Sequence, residues 1–446
     1  MTDQILIIIS TTLFLIVGFL AKNRKAKTID SFSTRRNSLN WLVTSAGVSM
    51  TFVGGAALIN MASLGYSFSW YTLVDPIALT LGILIAVFFI RKYRNDKGVT
   101  ISQLLSSNNK KLAIYIGIVS TIIFLLIISA QFVAFSKLLI PYFPSINPIL
   151  LILIPSIIIL FYVFLGGFSA VTNTDVLQMF FIFIFLLLPV SYFIITNKFE
   201  YHPNTDNTNL FAPMPTELMI LLSISLLFVP TSQDINIRAK SAKTDKQARL
   251  GLIAGAIYYS IIVIACSYIG ITLARQGVKM TDTEQAFPMF FKHFFPSIGI
   301  FAILAGMAAI WSTLDTYLVN GITSVAQDLL KKSSFFEKFE ERKLILISGF
   351  LVFLLSMLAG IYFNQVLSLI LTALLIYISV IIPIAFARWQ KMNDNIILII
   401  SLITVTAIII IETFKIKVDP KAIIYPLSGT LLMFIGKYVT KLKSEK

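Results

Sequence analysis

The 446-residue chain has one cysteine, two histidines and few charges, with Asp, Glu, Lys and Arg together making 13% of it. Each shortage excludes something. A single Cys266 rules out an internal disulfide framework and, within an apolar run, reads as inert packing. His202 and His293 stand far apart in polar gaps, so no histidine-based metal site is expected. With no catalytic His, Cys or metal cluster within its apolar runs, the chain is not expected to be an enzyme. A soluble protein of this length needs a charged surface that this composition does not supply. The polar gaps reach only about twenty residues, too short for a separate soluble domain.

What the chain has is apolar sequence: 57% hydrophobic residues and a mean hydropathy of +0.87. Runs of about 17–25 apolar residues, each able to cross roughly 30 Å of hydrocarbon, recur from end to end. They predict an all-α membrane protein of about thirteen transmembrane helices, with the lipid bilayer as its main partner. The spans fall near 4–21, 41–66, 72–90, 112–140, 147–165, 174–196, 217–238, 249–274, 297–325, 344–362, 365–386, 394–411 and 422–439. The run 4–21 has no basic segment before it and no small-residue cleavage site after it, so a retained helix is expected rather than a signal peptide.

The net charge of +15 is a topology signal rather than a nucleic-acid surface. Of the 36 Lys and Arg, 28 fall in one set of alternate gaps and 8 in the other. By the positive-inside rule the rich side is cytoplasmic, with the N-terminus outside and the C-terminus inside a cell (inner) membrane. Lys137, near the outer surface, is expected to snorkel.

Two spans are interrupted. The second carries Gly54-Gly55 at mid-depth, and the seventh carries Pro230-Thr231-Ser232-Gln233-Asp234. Gly pairs and Pro weaken the helical hydrogen-bond ladder, and freed backbone groups in lipid must line a cavity or bind something. The two spans are five apart, so successive five-helix units have opposite orientation: a five-plus-five inverted repeat with broken helices meeting at the midplane. The expected organisation is an extra helix and cytoplasmic loop (1–40), a first repeat (41–196), an extracellular loop (197–216), a second repeat (217–386), and two further helices with a short tail (387–446).

Acidic side chains inside the spans are few: Asp75, Asp175, Asp234 and Asp315. By default such groups face a cavity, a partner or an ion. Asp75 lies near a span end, where capping a helix or touching water is the expected role; for Asp175 a capping role at a helix start is the rival to a site. Ala309, Ser312, Thr313 and Thr316 follow i, i+3, i+4, i+7 and share one helix face beside Asp315. Hydroxyls with broken-helix carbonyls can ligate a hard cation with little fixed charge; back-bonding of the hydroxyls to the helix is the alternative.

The segment Gly166-Gly167-Phe168-Ser169-Ala170-Val171-Thr172-Asn173-Thr174-Asp175-Val176-Leu177-Gln178 closely resembles the sodium:solute symporter family motif GG-x-x-AV-x-x-TD-x-x-Q. Ser312 to Thr316 resembles that family's ST-x-D/S segment, and Arg238 to Thr244 its R-x-x-A-A-K-S loop. The resemblance covers essentially the whole chain. It implies a LeuT-like, APC-type fold and sodium-coupled import of a small polar solute (an amino acid, organic acid or sugar-like molecule) by alternating access, in a protein expected to be monomeric. It also implies a sodium site made of the carbonyls of Met50, Val53 and Ala309 with the hydroxyls of Ser312 and Thr313. Asp175, Ser312, Asp315 and Thr316 match the second sodium site of some members. The solute pocket implied by alignment comprises Thr51, Phe52, Gly55, Ala56, Ala57, Gln131, Ser232 and Gln233. Sugar-transporting members present polar side chains where this chain has Ala56 and Ala57, and a sialic acid carrier has an arginine where it has Gln131. Proton coupling on the same scaffold and a non-transporting solute sensor are the rival readings.

Overall fold

Backbone polar groups facing lipid must be satisfied within their own segment, which favours helices, and the described residues are almost wholly helical. The computed structural model describes residues 27–106, 109–196, 213–413 and 421–444, with Thr12 and Ile16. The expected first span, 4–21, and most of the loop 197–216 lie outside the described residues. Among those described, nine helical segments are long and apolar enough to cross a bilayer. Shorter apolar helices, Trp41–Val53 among them, accompany these.

The elements that position the site are α1 (Trp41–Val53), α2 (Gly55–Phe68), α3 (Val74–Phe88), α4 (Lys110–Leu139), α5 (Pro148–Gly166) and α6 (Phe168–Ile182). They are followed by α7 (Ser225–Thr231), α8 (Gln233–Ser241), α9 (Asp245–Arg275), α10 (Ile300–Ser324), α11 (Glu341–Phe363) and α12 (Val366–Ile376). Both expected interruptions are present. Gly54 separates α1 from α2, and Ser232, in extended conformation two residues after Pro230, separates α7 from α8. The Ser232 hydroxyl accepts from the Ile235 N–H at 3.4 Å and caps the new helix.

Every described residue of α10 beyond its first turn is buried, so it forms the axis of the molecule. It packs on α4 and α6, while α9 lies along both α1 and α2. The contact of α9 with α2 is backbone-close: a Cβ added to Gly270 would stand 1.9 Å from the Ala62 carbonyl oxygen.

The basic gaps gather at one end. Arg36 donates to the Lys97 carbonyl at 2.8 Å, Arg94 pairs with Asp245 at 2.8 Å, and Ile29 N–H donates to Glu341 at 2.7 Å. At the other end Lys137 does not snorkel. It is held between Asp282 at 2.7 Å and Glu284 at 3.3 Å, because the segment carrying those acids folds back over α4.

A Gly270→Val substitution meets backbone that has no rotamer to yield. It is expected to destabilise the protein by about 1–3 kcal/mol, read as a lower melting temperature in detergent; an unchanged melting temperature would refute the close α2–α9 contact.

Candidate functional site

At the first break the chain leaves α1 through Gly54, whose N-cap position for α2 has no side-chain cap. Glycine is required there by proximity: a Cβ would lie 2.5 Å from the Thr313 hydroxyl oxygen. Thr313 of α10 thereby reaches the end of α1 and donates to the carbonyls of Met50 at 3.0 Å and Thr51 at 3.1 Å. Met50, Val53, Ala309 and Ser312 are all fully buried. The Thr313 hydroxyl and the Met50 and Thr51 carbonyls meet here as neutral oxygens, the chemistry that a hard monovalent cation prefers, whereas the Ser312 hydroxyl turns to Asp175.

Next to these oxygens lies a residue that the sequence placed only as basic loop. Arg238 of α8 is 0% exposed. Its guanidinium donates to Asp175 at 2.8 Å, to the Thr51 hydroxyl at 3.2 Å and to the Thr316 hydroxyl at 3.1 Å. Asp234, one turn before it, approaches at 3.8 Å, and the Phe168 ring lies 5.0 Å from the guanidinium carbon. Ser312 donates to the other oxygen of Asp175 at 2.6 Å, while Thr174 donates to Asp315 at 3.4 Å. Asp175 sits roughly two turns inside α6, because that helix begins at Phe168 rather than at the expected 174. It therefore does not cap a helix start. Asp175, Ser312 and Thr316 do come together, and the built-in cation of Arg238 stands among them.

A cavity of about 120 Å³ lies beside the first break. Thr51, Phe52, Ala57, Gln131 and Thr313 line it, together with Asp75 and Tyr259. Gly55 does not join them; it packs toward Ile310 and Ala134. The side chain of Ala56 lies outside the described residues. Ser232 and Gln233 are elsewhere. Ser232 lines a separate cavity with Lys92 and Asp96 on the basic side. Gln233 accepts from the Ile101 N–H at 3.1 Å and donates to Asn320 at 3.4 Å. The central cavity shares Leu367 and Leu371 with a vestibule of about 1010 Å³ at the opposite end, which Lys137 and Asp282 also line.

Sequence reasoning missed Arg238 and gave Asp75 a peripheral role. The i, i+4 spacing of Asp234 and Arg238 was the available signal for a helix continuing past the second break. For Asp75 no signal existed, since burial at its end of α3 comes from α7 and α9.

A family model described as the sodium:solute symporter family matches residues 32–404. A sodium/proline symporter 2 of Staphylococcus saprophyticus is 24% identical over 348 residues, covering 73% of this chain and 68% of the relative. A sodium/proline symporter of Staphylococcus aureus is 23% identical over 354 residues, with the same coverage of each. Among solved structures, a substrate-bound, outward-open Na+-coupled sialic acid symporter matches with a TM-score of 0.72 at 16% identity, covering 99% of this chain and 97% of that one.

Removing one member of a buried ion pair strands the other, at a cost of about 3–5 kcal/mol. Arg238→Met is therefore expected to lower the melting temperature more than Arg238→Met combined with Asp175→Asn. Equal or greater loss in the double variant would show that the two charges are not coupled.

Proposed function

The chain belongs to the sodium:solute symporter family, and on that premise we propose that it imports a small polar organic solute together with sodium, by alternating access. The observation that carries the reading is the Thr313 hydroxyl lying across the first break against the Met50 and Thr51 carbonyls. Sodium arriving there would be held by oxygens of α1 and α10 at once. It would fix the junction of α1 and α2, which also forms the wall of the solute cavity. Ion and solute then stabilise one another reciprocally.

The gathering of basic gaps at one end supports an orientation with that end in the cytoplasm, in the cell membrane. The wide vestibule then faces outside, where sodium and solute enter. A membrane potential that is negative inside adds about 2.3 kcal/mol per charge per 100 mV to inward movement.

We further infer that one sodium accompanies each solute. The four side chains that match a second sodium site, Asp175, Ser312, Asp315 and Thr316, surround or adjoin the Arg238 guanidinium, which already supplies a positive charge to Asp175. The size of the cavity supports a small amino acid, the kind of solute named for the Staphylococcus relatives, over a larger sugar.

Proteoliposomes test these statements. Proline and other small amino acids are expected to accumulate under an inward sodium gradient and to stop accumulating when sodium is replaced; uptake indifferent to sodium would reject the mechanism. Thr313→Val is expected to raise the half-saturating sodium concentration about tenfold or more, while Thr313→Ser retains it. An unchanged sodium dependence in the valine variant would reject the site. The sodium-to-solute flux ratio should be close to one, and a ratio of two would show that Arg238 does not replace an ion.

A further inference from the structure

Of the buried carboxylates, Asp315, which accepts from Thr174, and Asp75 are hydrogen-bonded by neutral hydroxyls, and of these two it is Asp75 that lines the central cavity. Asp175 faces Arg238 at 2.8 Å and Asp328 faces Lys332 at 3.8 Å. Asp75 is 7% exposed, yet its contacts are two neutral hydroxyls: Tyr259 donates at 2.6 Å and Ser225 at 3.3 Å. No Lys or Arg among the described residues forms an ion pair with it. A buried carboxylate partnered by neutral groups alone is costly unless a cation joins it.

The surroundings say what kind of cation. Asp75 is the one charged residue among the described residues lining the central cavity. Beside it stand three aromatic rings, with Phe52 edge-on to Phe228 at 6.3 Å and to Tyr259 at 6.4 Å. Asn60, 3% exposed, lines the same space with a side-chain amide that can both donate and accept. A carboxylate is an acceptor, so at Asp75 the cavity presents an acceptor to which a ligand must bring a donor. Aromatic faces are poor ligands for a bare sodium ion but attract alkylated nitrogen cations. The volume of about 120 Å³ also exceeds what a single bare ion fills.

We propose that Asp75 is the solute-reading residue of this cavity and that the transported solute carries a positively charged nitrogen, an ammonium or alkylammonium group, seated on Asp75 beside Phe52 and Tyr259. This rests on the symporter reading in taking the cavity as the solute site. It excludes as preferred cargo uncharged sugars and carboxylates lacking a cationic nitrogen.

The experiment is thermal stabilisation of the purified full-length protein in detergent, with and without sodium. The probes are nitrogen cations and their uncharged or acidic isosteres: L-alanine against L-lactate, L-proline against cyclopentanecarboxylate, and choline against 3,3-dimethyl-1-butanol. At least one nitrogen cation is expected to stabilise the protein at millimolar concentration while its isostere does not. Asp75→Asn, which keeps shape and removes charge, should raise the half-saturating concentration of that probe about tenfold or more, and by a larger factor than it raises that of sodium alone. Tyr259→Phe should weaken the same probe by a smaller factor and serves as the second variant if Asp75→Asn folds poorly.

Four results overturn the proposal. They are stabilisation by isosteres in preference to the cations, no response to any nitrogen cation, unaltered cation affinity in both variants, or a sodium-only response that falls more than the cation response in Asp75→Asn, which would make Asp75 an ion ligand. Sodium independence of the cation response would instead reject the symport reading and leave the role of Asp75 standing.

Discussion

A guanidinium buried among membrane helices is tolerable only when its donors meet charge or hydrogen-bond acceptors, and Arg238 places that demand on four helices at once. It is carried by α8 and meets Asp175 of α6, Thr51 of α1 and Thr316 of α10. No single helix can shift without stranding a donor or the carboxylate. Thr51 extends the constraint further. Its hydroxyl accepts from Arg238 and donates to the Gly47 carbonyl, while its own carbonyl accepts from Thr313. The ion pair and the oxygen cluster at the first break are therefore one hydrogen-bonded network, and a change at either is felt by the other.

Much of this frame was legible in the sequence, for physical reasons that can be named. Gly54 was readable as a break because a glycine pair at mid-depth cannot hold a ladder in lipid, and Pro230 to Asp234 because proline removes a donor. The α10 stripe was readable because helical period alone puts Ala309, Ser312, Thr313 and Thr316 on one face. Arg238 is marked in the sequence only by its i, i+4 spacing from Asp234, because hydropathy ends a span at the first cluster of charge. The helix itself continues to Ser241 by burying that charge against partners distant in sequence. Ser232 and Gln233 show the same limit from the other side. Their position just past a break was clear, but the direction of each side chain depended on how α8 settles against Ile101 and Asn320. For Lys137 the sequence points to snorkelling, because its acidic partners lie about 145 residues further along the chain.

The charges around the cavity also bear on how two cargoes can help one another. A sodium ion near Thr313 and a nitrogen cation on Asp75 are both positive and share one poorly solvated space. Two like charges in such a space repel more strongly than they would in water. Direct electrostatics would thus oppose joint binding of sodium and a simple organic cation, leaving the common wall at Gly54 to provide all the positive coupling. A zwitterionic solute changes the sign. With its nitrogen on Asp75, as proposed, such a solute would bring a carboxylate whose charge complements a sodium ion held by neutral oxygens. Electrostatics and the shared α1–α2 junction then act in the same direction. If Asp75 serves the solute and neutral oxygens the ion, as proposed, an amino acid matches the pair of sites better than a plain amine does.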